Sequence, residues 1–373
     1  MNIEELLKLM VEKAASDIYI TVDSAPAYRV EGKTEPIPGE ALKPEDTEGF
    51  AFSVMSEKQK AVFLNEKEMN LALFYPDLGR FRVNIFYQRG NIGLVIRQIK
   101  IEIQTLEDLG LPSVLRDISM TKRGLVLVVG ATGSGKSTTL AAMIDHRNSN
   151  SPGHIITVED PVEFVHPHKK SVVTQREVGI DTNSFGEALK NTLRQAPDVI
   201  LVGEIRDTET MEAAITFAET GHLCLATLHA NNANQSLERI INFFPAERHE
   251  QIYLLLSLNL KSIISQRLIP TIEDTRVAAL EILLDTPRIK DLILKKEIGL
   301  LKETMKQGVQ EGMQTFDQAI YDFYMQGKID YETAIAYADS ANDLRLRIKF
   351  DTPGHEGQEK ETENKSTFKI REQ

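Results

Sequence analysis

At 373 residues the chain is longer than a single hydrophobic core usually grows, so two or three folded units are expected. Hydrophobic residues make up 42% and charged residues 26%, the balance of an ordinary globular protein. The formal net charge of −12 argues against a partner that reads a broad basic surface, so no nucleic acid is expected to bind.

In chain order, Ile3, Leu6, Leu7, Met10, Val11 and Ala14 recur at helical spacing over residues 1–14. Residues 1–13 lack a signal-peptide pattern. Short strand-like runs follow at 17–22, 27–30, 71–74, 80–87 and 93–99, separated by turn-rich stretches such as Glu35-Pro36-Ile37-Pro38-Gly39. Residues 1–100 therefore read as a small α+β domain, and 101–110 as a linker.

From Gly124 the pattern changes to buried apolar strands at 125–129, 154–158, 199–202 and 223–227, with helical stretches between them. That alternation predicts a mostly parallel α/β sheet within residues 111–350. Residues 232–347 read as mainly helical, with 250–264 the clearest helix, and 351–373 as a polar, disordered tail. The longest apolar runs are too short to cross a bilayer, so a cytoplasmic protein without a transmembrane segment is expected. The one cysteine, Cys224, rules out a disulfide framework within the chain and reads as a small buried apolar residue.

The strongest motif is Gly130-Ala131-Thr132-Gly133-Ser134-Gly135-Lys136-Ser137, followed by Thr138 at the start of a helical stretch. Glycines let consecutive backbone N–H groups curl around one anion, and the next helix aims its positive end at the same phosphates. In this pattern Lys136 reaches the β- and γ-phosphates of ATP, and the Ser137 hydroxyl ligates Mg²⁺.

Three further segments carry acids or histidines. Residues 199–204 form an apolar strand that ends in Glu204, where a carboxylate would stand beside Mg²⁺, directly or through water. Glu159, Asp160 and Glu163 close another strand, and either Glu163 or Glu159 could orient and polarise the attacking water. His222 and His229 stand at opposite ends of a strand, over ~20 Å apart and too far to share a metal. His229, at the C-terminal end where ligands gather, better suits a γ-phosphate sensor.

Together these segments resemble the secretion ATPases of type II secretion and type IV pili. That family carries a Walker A loop (130–137), an acidic box (159–163), an atypical Walker B (200–207) and a histidine box (220–229), found here in that order. Ser16-Asp17-Ile18-Tyr19-Ile20, Arg80-Phe81-Arg82-Val83-Asn84 and Gln175-Arg176-Glu177-Val178-Gly179 extend the likeness, as does Gly312-Met313-Gln314-Thr315-Phe316-Asp317. Assembly and secretion ATPases of the family are generally longer and carry a four-cysteine zinc module. With one cysteine, this chain resembles the PilT/PilU retraction branch instead. Arg288-Ile289-Lys290-Asp291-Leu292-Ile293-Leu294-Lys295 departs from the Ala-Ile-Arg-Asn-Leu-Ile-Arg-Glu element of PilT, which points to the PilU side.

The resemblance implies a PAS-like N-terminal domain, a RecA-like P-loop domain with a helical C-terminal part, and a homohexamer. It also implies that arginines Arg80, Arg82 and Arg97 complete a neighbour's phosphate site. The implied partners are a PilT-like ATPase and the inner-membrane platform protein, at the cytoplasmic base of the pilus. The implied task is to power or assist pilus retraction and twitching. A pilus-extension or secretion ATPase is the alternative within the class, and a DNA translocase the alternative outside it.

Overall fold

The computed structural model describes residues 2–30, 32–99 and 102–351. The tail expected at 351–373 lies outside the described residues except for Asp351, which closes the last helix.

The first unit opens with α1 (Ile3–Glu12). Asn2 caps it by accepting from the Glu5 N–H at 2.9 Å while Glu5 reaches back to the Asn2 N–H, so two otherwise unpaired donors are satisfied. Ile3, Leu6, Leu7 and Met10 are buried along one face, whereas Ala14 lies past the helix end in a left-handed conformation. Next come β1 (Asp17–Ile20), β2 (Ala27–Val30), β3 (Lys33–Pro36), α2 (Pro44–Ser53) and α3 (Glu57–Glu66), then β4 (Glu68–Tyr75), β5 (Gly79–Gln88) and β6 (Asn91–Ile99). The six strands form an antiparallel sheet in the order β3-β2-β1-β6-β5-β4, and its core includes Leu6, Ile18, Phe63, Phe81, Val83 and Ile96. This is the PAS-like α+β form expected.

Period-two alternation sets the chemistry of that sheet's other face. Phe81, Val83 and Ile85 point into the core, which turns Arg80, Arg82 and Asn84 outward. The register then places Arg82 directly opposite Arg97, and Arg97 opposite Asp17. Like charges across a ladder repel, so this face needs anions nearby. Asp17 supplies one, accepting from Arg97 Nε at 2.8 Å.

The second unit begins with α4 (Val114–Ser119), β7 (Gly124–Val129), α5 (Lys136–Asn150), β8 (Gly153–Glu159), β9 (Ser171–Glu177) and α6 (Phe185–Thr192). It continues with β10 (Val199–Val202), α7 (Thr208–Glu219), β11 (Leu223–Leu228), α8 (Ala233–Asn242), α9 (His249–Asn259), β12 (Leu260–Pro270) and β13 (Arg276–Leu284). A C-terminal helical layer follows: α10 (Pro287–Leu294), α11 (Leu301–Gln307), α12 (Phe316–Met325), α13 (Tyr331–Tyr337) and α14 (Ala341–Asp351).

The sheet order is β13-β12-β7-β11-β10-β8-β9, parallel except where β13 pairs with β12. Strand β7 is buried throughout, as the expected run at 125–129 requires, and each fully buried Leu or Val there contributes about 1.5–3 kcal/mol. Cys224, in β11, is a buried thiol whose proton burial holds well above the ordinary range. Leu106, within the stretch 101–110, is buried in the same core as Leu111, Leu115 and Val126 and Val128 of β7.

The sequence reading of 232–347 needs correction. The helix expected over 250–264 ends at Asn259, and 260–284 form the β12–β13 hairpin. Apolar residues run through both segments, so periodicity does not mark the junction; the β-branched pair Ile263 and Ile264 belongs beside β7 in the sheet core.

Candidate active site

The parallel strands bring the sequence's separate motifs to one sheet edge. Strand β7 runs into the glycine loop and α5 begins at Lys136, so residues 130–138 wrap a helix N-terminus. Gly135, the N-cap, has φ +87°, and Gly133 has φ +77°. A Cβ on Gly135 would lie 2.7 Å from Gln266 Nε2, and one on Gly130 would lie 2.5 Å from the Gln266 carbonyl. Glycine is therefore required by the close approach of β12 as well as by backbone conformation. Gln266 also accepts from Thr139 Oγ1 at 2.7 Å, so one buried residue of β12 braces both ends of the loop and the first turn of α5.

Lys136 Nζ donates to the Gly130 and Ala131 carbonyls at 2.8 and 2.9 Å. Desolvation lowers its pKa, opposed by the negative charges of Glu204 and Glu163. Those two acids, from separate motifs, thus share an electrostatic environment with the loop lysine.

Glu204 follows β10 and is held on both oxygens. His229 Nε2 lies 3.0 Å from Oε1, and Arg206 Nε lies 2.7 Å from Oε2. Arg206 also reaches Asp160 of the acidic box at 3.4 Å, tying that box to the residue after β10. Glu163 is exposed on the loop after β8. His222, at the far end of β11, instead lies 3.0 Å from Thr220 Oγ1 and 3.2 Å from the Phe217 carbonyl, a local contact at the end of α7.

Glu159 ends β8, accepting from Thr157 Oγ1 at 2.6 Å and Gln175 Nε2 at 3.4 Å. Burial pushes its carboxyl up to about 7, against an ordinary value of 4.5. The folded protein therefore retains a proton that the unfolded chain releases, and the resulting stabilisation is complete below the ordinary value and lost as pH rises through about 7. Between pH 5 and 8 the wild-type melting temperature should fall more than that of Glu159→Gln; parallel curves would remove the buried-acid reading.

Buried Glu177 accepts from the Val162 N–H at 3.3 Å, bracing the acidic loop. Burial raises its pKa, and the charges of Arg82 and Arg80 hold it down. The charges of Arg80 and Arg82 are thus felt at the strand beside the acidic box, within one chain. Arg97 differs, because its Nε is committed to Asp17.

Sequence reasoning left three contributors unassigned. Arg206 lay inside the Walker B segment, where its charge could have suggested a carboxylate partner. Gln175 lies in a stretch that resembles the family without a chemical signal of its own. Gln266 carried no local signal, since its role depends on β12 lying beside β7.

A half-buried lysine on a strand–glycine loop–helix turn, with acids at the ends of neighbouring parallel strands, defines a P-loop nucleoside triphosphatase. The Type II/IV secretion system protein family matches residues 2–311. The type IV pilus ATPase PilU of Pseudomonas aeruginosa is 57% identical, over 94% of this chain and 92% of that protein. The retraction ATPase PilT of the same organism is 42% identical, over 90% of this chain and 97% of its own length. A crystal structure of the pilus retraction motor PilT with bound ADP superposes with a TM-score of 0.87 at 43% identity, covering 93% of this chain and 99% of that one. The chain belongs to the Type II/IV secretion system protein family, and within it is a pilus retraction ATPase of the PilT/PilU type.

Proposed function

We propose that the chain hydrolyses ATP with Mg²⁺ as a homohexameric motor, acting as the PilU-type accessory to a PilT-like ATPase in pilus retraction. The observation that carries the chemistry is the convergence of Lys136, Glu163, Glu204 and His229 at one edge of the parallel sheet. Lys136 and the N–H groups of residues 133–138 bind the phosphates, and the buried Ser134 hydroxyl, without a partner among the described residues, is part of the same loop. Ser137 would hold Mg²⁺ directly, where the ion would neutralise phosphate charge. Glu204, with both oxygens already engaged, suits a contact to it through water. Glu163, exposed and close enough to act on Lys136, orients the attacking water; Glu159, half-buried and held by Thr157 and Gln175, takes the supporting role. His229 senses the γ-phosphate through its hold on Glu204. Arg80 and Arg82 add positive charge on the side of the acidic loop. Arg97 contributes through the arginine-bearing sheet face.

Helix α10 supports the accessory role. Its buried Ile289, Leu292 and Ile293 keep the apolar positions of the PilT element, while of the five differing residues Arg288, Leu294 and Lys295 are exposed and Lys290 and Asp291 half-buried. The fold of that element is therefore preserved while the surface offered to partners changes. No helix among the described residues is long and apolar enough to cross a membrane. We place the protein on the cytoplasmic side, at the platform protein of the pilus base.

A strain lacking every other retraction ATPase but expressing this chain should assemble pili and retract them poorly, with retraction restored by a PilT-like partner. Vigorous retraction without that partner would contradict the accessory assignment.

A further inference from the structure

A narrow, partly open cavity of about 30 Å³ lies beside the first turn of α5, lined by Ser137, Glu159, His166 and Thr227, with Leu140 and Leu201 among its apolar walls. That volume is about one water's share of the liquid, far too small for a nucleotide. Its polar lining distinguishes it from the dry apolar voids that proteins tolerate empty.

His166 is the unexplained member of this group. It sits on the loop between β8 and β9, is 6% exposed, and its Nδ1 is buried without a hydrogen-bond partner among the described residues. The loop is fixed from behind. Gln175 Oε1 accepts from the His166 N–H at 2.8 Å, while Gln175 Nε2 donates to the Phe164 carbonyl at 2.9 Å and reaches Glu159. Burial pushes the imidazole down to about 4, so the ring is neutral at physiological pH. In a neutral imidazole Nδ1 is either a donor or an acceptor, and each form calls for a partner. Left bare, such a buried atom costs about 1–3 kcal/mol.

We infer that the cavity holds one ordered water joining His166 Nδ1 to the Glu159 carboxyl and the Ser137 hydroxyl, which makes His166 a positioning residue for nucleotide hydrolysis. The inference rests on the phosphate-site reading above. Water can donate to one lining group while accepting from another, so it matches a mixed set of carboxyl, hydroxyl and imidazole without a fixed pattern. Its effect is to link the first turn of α5 to the end of β8, the two segments that carry Ser137 and the acidic box. No group in this arrangement is consumed, and no bond to the water is broken.

The test uses the full chain. A crystal structure at resolution sufficient for ordered waters should show density in the cavity within hydrogen-bond distance of Nδ1. His166→Leu, which fills part of the space and offers no polar atom, should lower kcat about tenfold, with KM for ATP and the Kd for ADP within about twofold. His166→Asn, whose amide can reach the Nδ1 position, should recover kcat to within about threefold of wild type. A dry cavity in the wild-type map, or a folded His166→Leu variant with wild-type kcat, overturns the inference. If His166→Leu fails to fold, the wild-type map and His166→Asn decide it. Failure of the phosphate-site reading would appear separately, as normal turnover by Lys136→Ala.

Discussion

Replacing Lys136 with alanine should reduce ATP turnover by at least about a hundredfold, the scale expected when a pre-positioned electrostatic partner of the transition state is removed. The lysine stands on the phosphate loop itself, and its partial burial leaves its charge less screened there than in open solvent. Its two hydrogen bonds to the Gly130 and Ala131 carbonyls also shape the loop, so the variant should bind nucleotide more weakly as well. Phosphate release by purified protein, with circular dichroism to confirm folding, checks this. Turnover within about threefold of wild type would contradict the assignment of the loop.

Glu204→Gln and Glu163→Gln should separate binding from chemistry. Glutamine keeps the shape of each side chain but removes the negative charge. Glu204→Gln loses the ion pair to Arg206 and the charged contact to His229, leaving Arg206 with Asp160 alone. Glu163→Gln leaves the loop intact because Glu163 is exposed. Each variant should bind ADP with near-wild-type affinity and hydrolyse ATP about 10²–10⁴ times more slowly, the range of a lost general base or charge. Single-turnover kinetics beside equilibrium binding would show the split. Normal hydrolysis by both variants would mean that neither acid acts in the reaction.

The parts of the site that are local in sequence were legible there. The glycine loop carries its own conformational demand, and the strand runs at 125–129 and 199–202 are short, apolar and bounded by turns. What remained hidden depends on strands distant in sequence. Gln266 matters because β12 pairs with β7, and β12 was itself obscured by the apolar run from α9 into Ile263 and Ile264. Arg206 was visible within its motif, but its link to Asp160 needs β8 and β10 side by side. The arginines show a third case. Alternation places Arg80 and Arg82 on one face, yet only the folded chain brings their charge to bear on Glu177 and commits Arg97 to Asp17. In the C-terminal region, the eight-residue element at 288–295 differs in sequence from its PilT counterpart, but only burial reveals that none of the differing residues lies in the core.

Nucleotide hydrolysis at this site drives or assists retraction. The most direct measurement is the force and frequency of pilus retraction in the native strain after the chromosomal Lys136 codon is changed to alanine, with surface pili counted in the same cells. Pili should still form while retraction under load falls sharply. Retraction under load indistinguishable from wild type, with the variant protein present at normal level, would contradict it.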